Sequence, residues 1–119
     1  MKKIFLAEDD QTMVTLLKTL LKIEGFEVES IDLAKGDLLT SLREIIPPIL
    51  LLDVNLPGQN GMDIVREMRK DERFNDTSVV MASGMSLKDE CLASGADDFL
   101  LKPYMPDDLI DILKKHTQS

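Results

Sequence analysis

Four short apolar runs in this chain each stop at a polar residue able to do chemistry. Ile4-Phe5-Leu6-Ala7 stops at Glu8-Asp9, and Ile49-Leu50-Leu51-Leu52 stops at Asp53. Val79-Val80-Met81-Ala82 stops at Ser83, and Phe99-Leu100-Leu101 stops at Lys102. Brought together, these residues amount to a cluster of carboxylates with one hydroxyl and one ammonium. Two carboxylates about 4 Å apart repel by ~1 to 4 kcal/mol, so a proton, a basic side chain or a metal must offset the cluster. With no His or Cys in the set, the donors are hard oxygens and favour a hard cation. Magnesium fits, because it keeps several waters and needs only one or two carboxylates. A carboxylate nucleophile, a divalent cation, a lysine and a hydroxyl are also the parts that accept a phosphoryl group. The cation and Lys102 would neutralise charge on the phosphoryl oxygens while Asp53 attacks in line.

Each residue also has a plainer explanation. Acids after strands often cap helices, and Asp10 suits that role. Asp53 alone is a common turn residue, Lys102 could be a simple ion pair, and Ser83 could make a turn hydrogen bond. A calcium loop fits poorly. Asp53, Asn55 and Gly58 match its first, third and sixth positions, but Pro57 and Ile64 fail at the fifth and twelfth. Singly, the acids read as structural; as a group at one edge, with Lys102, Ser83 and the room left by Gly84, they favour function.

The elements that must position them follow from pattern. Met13, Leu16, Leu17, Leu20 and Leu21 fall on one helical face, begun by Asp10 and ended by Gly25. Val28 to Ile31 reads as a strand. Leu38, Leu39, Leu42, Ile45 and Ile46 mark a second helix stopped by Pro47-Pro48. The wholly apolar Ile49–Leu52 run suggests a central strand covered on both faces. Asn60 can cap a third helix with Asp63 at its third position and Ile64, Val65 and Met68 facing inward. Ser86 and Asp89 look like a capping pair for a short fourth helix closed by Gly95. Pro106, Asp107-Asp108 and Lys114-Lys115 frame the last helix. Five strands alternating with five helices predict an α/β fold, a doubly wound parallel sheet with helices on both faces. Ligands of such sheets bind beyond the carboxyl ends of the strands, where the residues above converge.

Composition sets outer bounds. The chain has 119 residues, enough for one domain spanning 1–119 and too few for two. The apolar run after Met1-Lys2-Lys3 ends at Glu8, so it predicts neither an export signal nor a membrane span. The lone Cys91 cannot pair internally, which fits a reducing cytoplasm and a packing role. A formal net charge of −8 should repel nucleic acid and anionic lipid. Met13, Met68 and Met81 read as core, and His116 as a solvated residue favourable to the helix dipole.

Read in order, Glu8-Asp9, Asp53-Val54-Asn55-Leu56-Pro57-Gly58, Asn60-Gly61, Ser83-Gly84, Gly95-Ala96-Asp97-Asp98 and Phe99-Leu100-Leu101-Lys102-Pro103 resemble the response-regulator receiver (CheY-like) family of two-component phosphorelays. The resemblance covers the whole chain. It implies a flavodoxin-like strand order 2-1-3-4-5. It implies Asp53 as phosphoacceptor with Mg2+, Asp9 as a direct metal ligand, Glu8 as a helper through water, and the backbone carbonyl of Asn55 as a further ligand. Ser83 becomes the switch hydroxyl, Phe99 the switch aromatic and Lys102 the phosphoryl-binding lysine, with a cis Lys102-Pro103 bond. The implied partners are a sensor histidine kinase or phosphotransfer protein, and a downstream protein or second copy docking on the fourth helix, fifth strand and last helix.

Three departures from the family pattern carry expectations. Ser83 to Gly95 is shorter than usual by about three residues, near one helical turn, so the fourth helix should be short. Phe99 lacks a hydroxyl, so switching must rest on packing. Met105 precedes Pro106 where Ser or Thr would cap better, so the last helix should fray at its start. The leading reading is a phosphorylation-controlled signalling module that catalyses only its own phosphorylation and dephosphorylation. A phosphorylation-independent binding module comes next, although it would require a broken site. An aspartyl-phosphate phosphohydrolase comes last, because Asn55 stands where a general acid is needed and no insertion could form a cap.

Overall fold

The apolar runs become strands because they are too short and too rich in Ile, Val and Leu to hide on one helix face. A computed structural model describes residues 2–34 and 36–117; Met1 of the N-terminal run lies outside them. The chain runs β1 (Lys2–Ala7), α1 (Gln11–Ile23), β2 (Phe26–Ser30), α2 (Leu38–Ile45), β3 (Ile49–Asp53), β4 (Asn55–Leu56), β5 (Gln59–Asn60), α3 (Gly61–Met68), β6 (Ser78–Ser83), α4 (Lys88–Ser94), β7 (Asp98–Leu101) and α5 (Pro106–Thr117). A 3-10 turn, Glu72–Phe74, follows α3. The main sheet is parallel, with order β2-β1-β3-β6-β7. With the β4-β5 ribbon set aside, this is the expected 2-1-3-4-5 order.

Alternate residues of each strand feed opposite core layers. Phe5, Ala7, Leu50, Leu52, Val79 and Met81 pack with Leu38 and Leu42 of α2, Ile64, Val65 and Met68 of α3, and Cys91 of α4. Ile4, Leu6, Ile49, Leu51, Val80 and Ala82 pack with Val14, Leu17 and Leu21 of α1 and Leu109 and Leu113 of α5. Every residue of β3 is buried, as expected of a central strand. Among the described residues, no helix is long and apolar enough to cross a membrane.

Several expectations shift in detail. Strand β2 begins at Phe26 because Phe26 pairs with Lys2, so the ladder outruns the apolar stretch. The α1 face is rotated from the reading above: Val14 is buried while Leu16 is 49% exposed. Ser86 and Asp89 do not cap α4, which starts after Leu87 without a side-chain cap. The helix is short, as expected, and closes at Gly95 with φ +117°. Helix α5 starts at Pro106 despite Met105, because the Met105 carbonyl accepts the amides of Asp108 and Leu109. Asn60 caps α3 through the Met62 amide at 2.8 Å, and Asp10 caps α1 through the amides of Thr12 and Met13.

Candidate functional site

Strand register assembles the site. Ala7 pairs with Leu52, so Glu8 and Asp53, each one residue on, come level at the carboxyl ends of β1 and β3. Asp53 pairs with Ala82, which sets Ser83 one step beyond it, and Ser83 pairs with Leu101. The Lys102 amide then donates to the Ser83 carbonyl at 2.8 Å, and the Lys102-Pro103 peptide bond is cis.

Glu8, Asp9 and Asp53 each offer a carboxylate oxygen within 4.8 Å of the others. Glu8 and Asp53 are buried, whereas Asp9 is exposed at the mouth. Lys102 bridges the buried pair, its Nζ lying 2.8 Å from Glu8 Oε2 and 3.0 Å from Asp53 Oδ2. Both remaining oxygens take main-chain donors: Glu8 Oε1 accepts the Asp10 amide at 3.2 Å, and Asp53 Oδ1 accepts the Asn55 amide at 3.2 Å. Burial pushes the Glu8 carboxyl above its ordinary range, although the Lys102 hydrogen bond and the Asp10 amide pull the other way. Burial would lower the Lys102 ammonium, but hydrogen bonds and charge from Glu8 and Asp53 outweigh it and hold Lys102 above its usual value. The oxygen-only donor set and its excess negative charge fit a hard divalent cation.

Ser83 is buried, and its Oγ accepts the Met85 amide at 3.1 Å, so its turn role is real in this state. Phe99 is half-buried and packs against the core layer that includes Cys91. His116 departs from expectation. Its side chain is only 15% exposed and its Nε2 lies 3.2 Å from Asp98 Oδ2, because the last turn of α5 returns beside the start of β7. Cys91 is buried in the core, in keeping with packing.

Sequence reasoning missed the roles of three supporting residues. Gly61 touches the main chain of the site: a Cβ there would stand 2.5 Å from the Asp53 carbonyl oxygen and 3.1 Å from Val54 Cα. Its signal was the Asn60-Gly61 pair. Tyr104 is partly buried next to the cis bond, and burial raises its phenol above the ordinary value. Arg69 ties four groups: the carbonyls of Gly95, Phe74 and Thr77 at 2.9, 2.8 and 3.0 Å, and Asp97 Oδ2 at 2.9 Å. No local pattern marks Arg69, since its partners lie up to 28 residues away.

Comparison with known proteins agrees with this geometry. Residues 4–114 match the family model described as the response regulator receiver domain. The DNA-binding response regulator MtrA of Mycobacterium tuberculosis (strain H37Rv) is 35% identical over 115 residues, covering 92% of this chain and 47% of its own length. The chain thus spans about half the length of the curated relatives it matches. Relatives of that description leave the expected exclusion of nucleic acid without support. The chemotaxis response regulator CheY4 of Vibrio cholerae superposes with a TM-score of 0.84 at 25% identity, covering 98% of both chains. The receiver domain of a sensor histidine kinase from Pseudomonas aeruginosa PAO1, solved with magnesium coordinated in its active-site cleft, superposes at 0.80 and 25% identity, covering 96% of this chain and 95% of its own. On its fold, its register-built acidic edge and the match across residues 4–114, the chain belongs to the response regulator receiver domain family of two-component signalling.

Proposed function

We infer that Asp53 accepts a phosphoryl group from the phosphohistidine of a sensor histidine kinase or phosphotransfer protein. The observation that carries this reading is the Asp53 carboxylate itself, buried at the end of the central strand and bonded to Lys102 at 3.0 Å beside Glu8 and Asp9. In the step, an Asp53 oxygen forms the new bond to phosphorus while the bond from phosphorus to the histidine nitrogen breaks. Magnesium, held by Glu8, Asp9, Asp53 and the Asn55 carbonyl, would neutralise charge on the transferring phosphoryl oxygens. Lys102 stays close to Asp53 and pairs with a phosphoryl oxygen once the acyl phosphate forms. The Asn55 amide orients the carboxylate, and burial keeps competing water scarce around it.

The phosphoryl group carries roughly two negative charges and strong acceptor oxygens. It draws the Ser83 hydroxyl off the Met85 amide, and Phe99 repacks toward the space released. The face of α4, β7 and α5 then passes the signal to a downstream protein or a second copy. Strong switching takes ~5.5 kcal/mol of differential interaction, which a charge pair and a charge-assisted hydrogen bond can largely supply. We place this activity in the cytoplasm, within one receiver unit over 1–119.

Acetyl phosphate tests the chemistry. It should label the parent only with magnesium present, giving a base-labile acyl phosphate that Asp53→Asn lacks. Mass spectrometry that finds the group on Ser83 or elsewhere overturns the assignment. Backbone chemical shifts around Phe99 and Leu109 should change on phosphorylation, and Ser83→Ala should blunt that change while labelling persists. Shift changes confined to the loops around Asp53 would overturn the switch.

A further inference from the structure

Away from the carboxylate cluster, β7 and the start of α5 border a groove of about 460 Å³. Phe99, Leu101, Pro103 and Met105 line it, with Asp108 and Asp111 along its α5 side. Leu101 is 49% exposed and Met105 67%, so two large apolar side chains stand in water on one wall. Asp108, Asp111 and Ile112 recur at intervals of three and four and share one side of α5, with Met105 just before its first turn. Leu109 and Leu113 turn the other way and are buried. The lysines that end α5 are engaged elsewhere: Lys114 reaches Glu24 at 3.2 Å and Lys115 reaches Asp98 at 3.5 Å. The groove's lining therefore holds two carboxylates and no cation.

We propose that this groove docks a basic, apolar protein segment, one that seats an aliphatic or aromatic side chain against Leu101 and Met105 and sets Lys or Arg against Asp108 and Asp111. The inference deepens the proposed output face by naming its partner's chemistry, and rests on that reading for its control by phosphorylation. Charge complementarity selects the occupant. A second copy carries the same net charge of −8, and its own groove lining supplies no cation to meet Asp108 and Asp111. Lipid and polynucleotide phosphates meet the same repulsion at this face. Phe99 supplies the control, because its ring both lines the groove and packs on the core layer beneath α4. Inward movement of that ring deepens the apolar floor.

The test is an NMR titration of the isotope-labelled chain with a short amphipathic peptide of leucine and lysine, run beside a leucine–glutamate counterpart. Each is run with and without acetyl phosphate and magnesium. The lysine peptide should shift amides of Leu101 through Ile112 and bind more tightly after phosphorylation; the glutamate peptide should do neither. Asp108→Asn with Asp111→Asn should weaken binding about tenfold or more. Leu101→Ser, at an exposed position that folding tolerates, should weaken it comparably. Glu27→Gln with Glu44→Gln, at the opposite edge of the sheet, should leave it unchanged. Equal weakening by that last pair, or shifts scattered over the surface, would mean simple attraction to an acidic protein and overturn the proposal. So would a concentration-dependent dimer that shifts the same amides, which assigns the groove to a second copy. Groove binding that ignores phosphorylation and persists in Asp53→Asn sustains the docking site and sinks only its control. A stable acyl phosphate on Asp53 without groove binding does the reverse.

Discussion

Asp53 sits where three demands meet: charge, reach and steric room. Its charge is balanced by Lys102, which also serves Glu8, so the buried acids share one cation while exposed Asp9 faces water. Asp9→Ala should therefore change metal-free stability by less than about 1 kcal/mol, since an exposed charge is well screened. Magnesium should give the parent a thermal shift, since ligand at a hundred times its Kd is worth about 2.7 kcal/mol, and the same substitution should abolish it. Equal magnesium titrations of parent and Asp9→Ala by calorimetry would remove Asp9 from the ligand set. Steric room depends on Gly61. Its α-carbon lies against the Asp53 carbonyl, and main-chain atoms cannot yield as the end of a flexible side chain can. Gly61→Ala should cost about 1 to 3 kcal/mol in urea denaturation and displace the Asn55 loop. A variant as stable as the parent would show that the loop relaxes freely.

At the scale of elements, the short α4 is held from one end. Its C-terminus closes at Gly95, whose carbonyl accepts Arg69 Nε at 2.9 Å, while its N-terminus lacks a side-chain cap. Arg69 also closes the turn after α3 and braces Asp97, which in turn accepts the Val79 amide at 2.8 Å. One guanidinium thus ties α3, β6 and the α4–β7 junction. Arg69→Met should lose about 2 kcal/mol or more, because three carbonyls and a carboxylate lose a charged donor together. Urea midpoints check this. Gly95→Ala should be costly for two reasons: φ at +117° strains any side chain, and a Cβ would meet Arg69 Cγ at 2.5 Å. The two costs should not simply add in a double variant, since the sites touch.

For the whole molecule, acid stability should follow Asp98 at the seam between β7 and α5. Burial alone would raise this carboxyl, but the hydrogen bonds from His116 and the Phe99 amide and the charge of Lys115 hold it below the usual range. A carboxyl held low when folded stabilises above its ordinary value of about 3.9, and that stability fades as pH falls through the folded value. Asp71, held at about 2 by hydrogen bonds from Arg73, acts in the same sense from the surface, where salt weakens it. Glu8 acts oppositely. Its raised carboxyl costs stability as pH rises through the folded value. Asp98→Asn should thus be less stable than the parent at neutral pH, with the gap closing in acid below the folded value. Urea midpoints measured from neutral pH downward decide this, and a constant gap would count against the Asp98 pairing.

The sequence by itself determined the layers and brought the candidate site residues to one edge, while the strand order followed from the family resemblance. Apolar runs that end in Glu8, Asp53, Ser83 and Lys102 carry their own geometry, because a parallel sheet places every strand's carboxyl end on one edge. The caps at Asp10 and Asn60 were legible because their hydrogen bonds close within three residues. Tertiary structure decided what depends on partners far along the chain. The α1 stripe rotated to bury Val14 over Leu16, since helix packing against a sheet is set by fit and not by a count of leucines. Lys102 chose Glu8 as well as Asp53, across 94 residues of sequence. His116 found Asp98, Arg69 gathered four acceptors, and Leu101 and Met105 were left bare beside two aspartates. No local window contains both members of such pairs, so their energies appear only once the sheet has brought them together.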